Sequence, residues 1–306
     1  MNFLTEHKQP HRLAQTFTNA ILGFAIGDAM GVPYEAKKRG SYHAKKKMEG
    51  YGTYNLPPGT WSDDTSLTLA TIASIAKCKE INPKDMMEHF AQWLFSGTYS
   101  ADGNIFDVST STRIAISSYE KSGQFSPSKL DNGSGALMRM LPLAFMDASD
   151  AEIQSVAHIT HADPTSTAIC QLYVAIAKRL IAGEAKKTAI LNACQEYSND
   201  MISTDRLDNG LQRNLNSDGY VVSTLEAALW CLLHGTTYKD TIMLAINLGG
   251  ETGSIAALAG GLAGICYETN WRKNIPVKWQ LTLRNRQVLK STCKKMWAVL
   301  KQPTHQ

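Results

Sequence analysis

The stretch Asp163-Pro164-Thr165-Ser166-Thr167-Ala168-Ile169-Cys170-Gln171-Leu172-Tyr173-Val174-Ala175-Ile176-Ala177-Lys178-Arg179-Leu180 decides the fold class. Asp163-Pro164 is start chemistry for a helix: an aspartate can accept from the free N–H groups, and proline fits the first turn. Behind it, Ile169, Leu172, Tyr173, Ile176 and Leu180 recur at helical spacing, the stripe of an amphipathic helix. Leu225, Ala228, Leu229 and Leu232 repeat the pattern. Residues 13–26, 65–76, 83–95, 186–197, 255–267 and 287–300 fit it too, as do 156–159 with their flanks. Alternating apolar runs are scarce, and none is bounded by hairpin chemistry. The expected class is all-α.

Working outward, Leu56-Pro57-Pro58-Gly59, Ser96-Gly97 and Ser126-Pro127 punctuate the chain, with no long linker and no repeat of fixed period. One domain over residues 1–306 is expected, with a short N-terminal extension (1–15) and a C-terminal tail (301–306). Apolar residues at 43% and charged residues at 19% are ordinary for a globular protein. Six cysteines lie far apart without a C-x-x-C pair, which predicts reduced core thiols in a reducing compartment. The first eight residues contain no apolar signal region. The apolar stretch 242–266 carries Asn247, Glu251 and several glycines, so it predicts buried core and not a membrane span. The expected location is the cytoplasm. A net charge of +4, from 31 basic and 27 acidic residues, is too small to imply nucleic acid. The basic run from Lys37 to Lys47 has only Tyr42 interleaved as a stacking ring. It fits a solvated loop, or a flap over an anionic ligand because it directly follows Glu35.

Three polar turns carry the chemistry. In Gly59-Thr60-Trp61-Ser62-Asp63-Asp64-Thr65, two carboxylates and two hydroxyls precede an apolar periodic run. They fit an N-cap cluster, favoured there by the helix dipole. They equally fit hard oxygen ligands for Mg²⁺ or Ca²⁺, since adjacent anions repel and a cation compensates them. Asn247-Leu248-Gly249-Gly250-Glu251-Thr252-Gly253-Ser254 offers Glu251 and Ser254 at another helix start, with capping again the alternative. Asn132-Gly133-Ser134-Gly135-Ala136-Leu137-Met138-Arg139 offers backbone N–H groups, a hydroxyl and an arginine, which suit phosphate oxygens. It lacks the lysine of a P-loop and the third glycine of a dinucleotide fingerprint. His158 and His161 have no partner at zinc-site spacing, and neither H-E-x-x-H nor Gly-x-Ser-x-Gly occurs.

These turns, in this order, resemble the ADP-ribosylglycohydrolase family, which includes the dinitrogenase reductase-activating glycohydrolases. The matching blocks are GFAIGDAMGVPYE (23–35), GTWSDDTSLTLA (59–70), NGSGALMRMLPLA (132–144), ITHADP (159–164), DGYVVSTLEAALW (218–230) and NLGGETGSIAALAGGLAG (247–264). The resemblance implies a compact orthogonal bundle of helices with a binuclear Mg²⁺ centre. It implies hydrolysis of the bond joining ADP-ribose to a protein side chain, most often arginine. On the matching positions, Ser62, Asp63, Asp64, Glu251 and Ser254 would be metal ligands. Glu35 would sit in a mobile flap near the reacting ribose. Residues Asn132 to Arg139 would hold the diphosphate and ribose, His161 would approach the phosphates or distal ribose, and Tyr220 would pack near the cleft. Asp28 would be structural, and Asp107 would face the arginine side. Glu35, Asp63 and Asp64 are the candidates for the catalytic base.

One departure matters. The family usually reads Gly-Asp-x-Asp-Thr where this chain reads Gly250-Glu251-Thr252-Gly253-Ser254. Glu251 and Ser254 keep a carboxylate and a hydroxyl, but Gly253 deletes the side chain that bridges two ions in the family. One well-held Mg²⁺, or two only at high Mg²⁺, is therefore expected. The departure also opens another class of function: a catalytically weakened protein that binds ADP-ribose, or an immunity-type partner of an ADP-ribosyltransferase toxin.

Overall fold

The computed structural model describes residues 10–197, 200–268 and 274–301. Along them run α1 (Pro10–Gly31), α2 (Asp63–Cys78), α3 (Pro83–Ser96), α4 (Thr110–Ser122) and α5 (Asp150–Ala157). Next come α6 (Pro164–Ala182), α7 (Lys186–Tyr197), α8 (Thr204–Asn209) and α9 (Val221–His234). The last are α10 (Tyr238–Ala245), α11 (Thr252–Cys266), α12 (Val277–Thr282) and α13 (Arg286–Leu300). No strand occurs among the described residues, where β-type pairing is limited to the isolated bridges Ser128–His161 and Gly133–Tyr220. The all-α expectation agrees with this structure.

Local chemistry sets the helix ends. Asp163 accepts from Thr165 N and Ser166 N ahead of Pro164, and α6 stops at Gly183 in the left-handed region. Asn82 and Pro83 start α3 in the same manner, and Ser149 with Glu152 forms a reciprocal capping box on α5. Three corrections to the sequence reading follow. Helix α1 begins at Pro10, inside the expected extension, of which residues 1–9 lie outside the described set. The pattern at 156–159 outruns α5, which ends at Ala157. The turn after Gly133 opens a 3-10 helix (Ser134–Arg139) and not an α-helix.

The frame of the molecule is the crossing of α1 and α11. A Cβ on Gly27 would stand 2.0 Å from Ala256 O, one on Gly260 2.5 Å from Gly23 O, and one on Gly264 2.4 Å from Asn19 O. At the other end, Gly31 meets Thr252 and Gly253 within 2.5 Å of its would-be Cβ. Rising numbers on one helix pair with falling numbers on the other, so the two run antiparallel with backbone against backbone. Packing this close admits no side chain, which is why glycine recurs every four residues on α1. Phe17, Ile21, Phe24 and Ile26 on the remaining faces of α1 enter one continuous core with α2, α6, α9 and α11. None of the described helices is long and apolar enough to cross a membrane. All six cysteines are free thiols, four of them buried.

The crossing has a positional result. The end of α1, which leads into Glu35, lands beside the first turn of α11 and the first turn of α2. These are the places where the candidate residues lie.

Candidate active site

Asp28, on the last turns of α1, takes over the capping of α2. Its carboxylate accepts from Ser62 N, Thr65 N and the Thr65 hydroxyl at 2.6–3.1 Å and is fully buried. Ser62 Oγ adds a bond to Asp64 N. With the helix start satisfied from elsewhere, Asp63 and Asp64 are released from capping duty, and both face the same cavity. Asp64 Oδ2 accepts from the Ser254 hydroxyl at 2.9 Å, which ties the start of α2 to the start of α11.

Glu251 is positioned by two successive left-handed residues, Gly249 (φ 75°) and Gly250 (φ 66°), a conformation that side chains resist. Its N–H bonds to Ser217 O at 3.0 Å. The segment after Glu35 is tied to the same turn through Ala36 N to Gly250 O and Gly250 N to Lys37 O, each 2.9 Å. Arg39 fastens it further, donating to Leu248 O, Gln212 O and Leu215 O at 2.6–2.9 Å. The basic run is thus a braced loop here, with Lys38, Lys45, Lys46 and Lys47 exposed and Arg39 spent on carbonyls.

Glu35 reaches back from that loop and is 5% exposed. Its Oε2 accepts from Gly253 N at 2.6 Å and from the Thr252 hydroxyl at 3.2 Å, while Oε1 is buried without a donor. A Cβ at position 253 would lie 3.0 Å from Glu35 Oε2. Glu35 therefore occupies the room that a side chain at 253 would need.

A cavity of about 170 Å³ gathers Asp63, Asp64, Asp107, Glu251 and Ser254 in its lining. Gly133, Ser134, Gly135 and His161 line it too, together with Ser109, Asp131 and Gly219, which the sequence reading missed. Asp131 Oδ1 accepts from Gly133 N at 2.9 Å, an Asx turn whose signal was an aspartate two residues before a glycine. Tyr220 is 38% exposed, and its neighbours lace the turn in place through Val221 N to Asn132 O and Ser134 N to Gly219 O. A larger cleft of about 800 Å³ beside Arg39, Tyr42 and Leu244 holds none of the expected site residues.

The 132–139 turn differs from its expected role. Ala136, Leu137 and Met138 are core residues, and Arg139 is 0% exposed. Its guanidinium points inward where α5 ends, donating to Val156 O, Ala157 O and Thr160 Oγ1. Arg139 therefore presents nothing to a diphosphate in this structure. The N–H groups of Gly133 and Ser134 are also spent inside the protein. His158 bonds Thr167 and His161 bonds Thr160, so the two do not form a metal pair.

The electrostatics are those of an uncompensated acidic cluster. Burial, then Glu251, pushes Glu35 well above the usual carboxyl range, against the opposing Gly253 N–H. Burial raises Asp63 and Asp64 likewise, with Asp64 acting on Asp63 and Asp28 on Asp64. Asp28 rises to about 6 through burial despite its hydrogen bonds. Burial also raises Glu251 and Asp107, the latter against a bond from the Tyr54 hydroxyl. Among the described residues, no three His, Cys, Asp or Glu side chains are placed to enclose an ion as they stand. The donors are nonetheless all hard oxygens, and a cation would relieve both their repulsion and the bare Glu35 Oε1.

Comparison with known proteins agrees with the all-α fold. The sequence profile of the ADP-ribosylglycohydrolase family matches residues 9–305. The chain is 32% identical over 272 residues to "ADP-ribosylarginine hydrolase Tri1" of Serratia proteamaculans (strain 568), covering 85% of this chain and 73% of that protein. It is 32% identical over 271 residues to "ADP-ribosyl-[dinitrogen reductase] glycohydrolase" of Rhodospirillum rubrum, covering 85% and 87%. A solved structure described as an "ADP-ribosylglycohydrolase-related protein complex" superposes with a TM-score of 0.78 at 26% identity, over 95% of this chain and 99% of that one. With an all-α frame, an acidic cavity at the α1–α2–α11 junction and a match along almost its whole length, the chain belongs to the ADP-ribosylglycohydrolase family.

Proposed function

We propose that this protein hydrolyses the glycosidic bond between ADP-ribose and a modified protein side chain, arginine first, with one Mg²⁺ bound at the acidic cavity. The observation that carries the reading is the convergence of Asp63, Asp64, Asp107 and Glu251, from separate segments of the chain, on one cavity whose remaining lining is polar, with Asp131 its one further carboxylate. Asp63, Asp64, Glu251 and the hydroxyls of Ser62 and Ser254 would hold the ion. Bound Mg²⁺ would orient the ribose hydroxyls and acidify a water.

The chain's own residues supply the rest. Glu35, whose buried carboxyl favours keeping its proton, is suited to give that proton to the leaving group and, once ionised, to take one from the attacking water. Asp107 lies in the cavity wall and can meet a guanidinium leaving group; the bond from Tyr54 fixes its direction. Tyr220, exposed at the rim, offers a ring face to the distal part of the ligand. Release of ADP-ribose from ADP-ribosyl-arginine, with and without Mg²⁺, tests the reading. Asp63→Asn and Asp64→Asn should each lower the rate by about 100-fold or more, as loss of a group acting in the transition state does. Full activity in chelator would refute the metal part of the proposal.

Gly253 favours a second reading, a protein that binds ADP-ribose or an ADP-ribosyltransferase toxin without turnover. An inert parent that still binds ADP-ribose, indifferent to chelation, would select it.

A further inference from the structure

His161 lies where the cavity meets the core, and its neighbours restrict the position of the ring proton. Arg139 can only donate, so its Nη2, 2.7 Å from Thr160 Oγ1, uses a lone pair of that hydroxyl. The hydroxyl keeps one hydrogen, and the acceptor beside it is His161 Nδ1, also at 2.7 Å. A proton on Nδ1 would strand that hydrogen where both residues are 0% exposed. Asp131 acts from the opposite edge: its Oδ2 stands 3.4 Å from Nε2, where a carboxylate repels a bare ring lone pair. Partial burial opposes ionisation of Asp131, but Ser111, Gly133 N–H and His161 together hold its carboxyl below the usual range. Nε2 makes no well-aligned hydrogen bond within the protein, its long approach to Asp131 being the nearest. Gly135 leaves room for the ring, since a Cβ there would lie 3.0 Å from His161 Cε1.

We propose that Arg139, acting through Thr160, fixes His161 as the neutral Nε2–H tautomer and so gives the cavity a permanent donor for an acceptor oxygen of the ligand. Arg139 and Thr160 are positioning residues, and neither touches the ligand. The ligand part rests on the ADP-ribose reading, in which diphosphate and ribose oxygens are the acceptors. Burial, reinforced by the charge of Arg139, lowers the His161 pKa to about 4, so the ring is neutral at neutral pH. With the Gly133 and Ser134 N–H groups of the 132–139 turn already committed, a side-chain donor in this lining takes on the work expected of that turn.

The test uses full-length protein containing isotopically labelled histidine, with His161→Gln identifying the signal. Long-range proton–nitrogen correlation should show a protonated Nε2 and bare Nδ1 in the parent and in Thr160→Ser, and a mixture in Thr160→Val. Calorimetry with ADP-ribose should show about a tenfold loss of affinity in Thr160→Val and about twofold or less in Thr160→Ser. A proton on Nδ1 in the parent overturns the proposal. So does a pure Nε2–H ring in Thr160→Val, which would assign the tautomer to Asp131 alone. If the tautomers behave as expected but the parent does not bind ADP-ribose, the ligand reading fails and the tautomer assignment stands.

Discussion

Glu35 and Gly253 are 218 residues apart in the chain and share one small volume. Restoring an aspartate at 253 would place its Cβ 3.0 Å from Glu35 Oε2 and 3.9 Å from Asp28 Oδ1. Gly253→Asp should therefore lower metal-free stability by about 1–3 kcal/mol, with Glu35→Gln in the same chain recovering most of it. Urea unfolding in chelator measures both; an unchanged midpoint in the single variant would mean that Glu35 swings aside freely. Asp63 and Asp64 were legible in the sequence because adjacent carboxylates before an apolar run are conspicuous. What the sequence left open was whether they cap their own helix, and Asp28, a residue of another helix, decides that. The inward aim of Arg139 was not legible, because the carbonyls that attract it belong to α5 and come near only through tertiary packing.

At the scale of elements, the antiparallel crossing of α1 and α11 positions everything else. Gly27→Ala puts a methyl 2.0 Å from Ala256 O, backbone that cannot rotate away. A loss of about 1–3 kcal/mol or more is expected from such overpacking, with a matching fall in ADP-ribose affinity as the helices separate. Thermal unfolding and calorimetry check the pair of effects; a stable variant with parental affinity would show that the crossing yields. Long helices with dense apolar stripes, α6 and α9 above all, were readable by period alone. Helix α4 was not: Thr110–Ser122 carries hydroxyls and charges over most of its length and buries only Thr112, Ala115, Ile116 and Tyr119. Helices α8, α10 and α12 are too short, at six to eight residues, to establish a period.

For the whole molecule, the acidic cluster predicts an unusual dependence of stability on pH. Asp28 binds its proton more tightly when folded, with a pKa of about 6 against 3.8. The folded state then holds more protons than the unfolded state between those values, so stability falls as pH rises through that window. The loss from Asp28 alone is of order 3 kcal/mol, and Glu35, Asp63 and Asp64 act in the same direction. Mg²⁺ should oppose it by favouring the ionised forms, so added Mg²⁺ should raise the urea midpoint more at about pH 7.5 than at about pH 5. An equal shift at both values would sever the link between cluster and ion. The glycine contact between α1 and α11 bears on how such a site can change over time. Backbone pressed on backbone has no rotamers to re-sort, so the end of α1 that leads into Glu35 and the start of α11 keep their separation whatever side chains stand on them. Side chains at 251, 253 and 35 can therefore be exchanged without moving the girders that carry them.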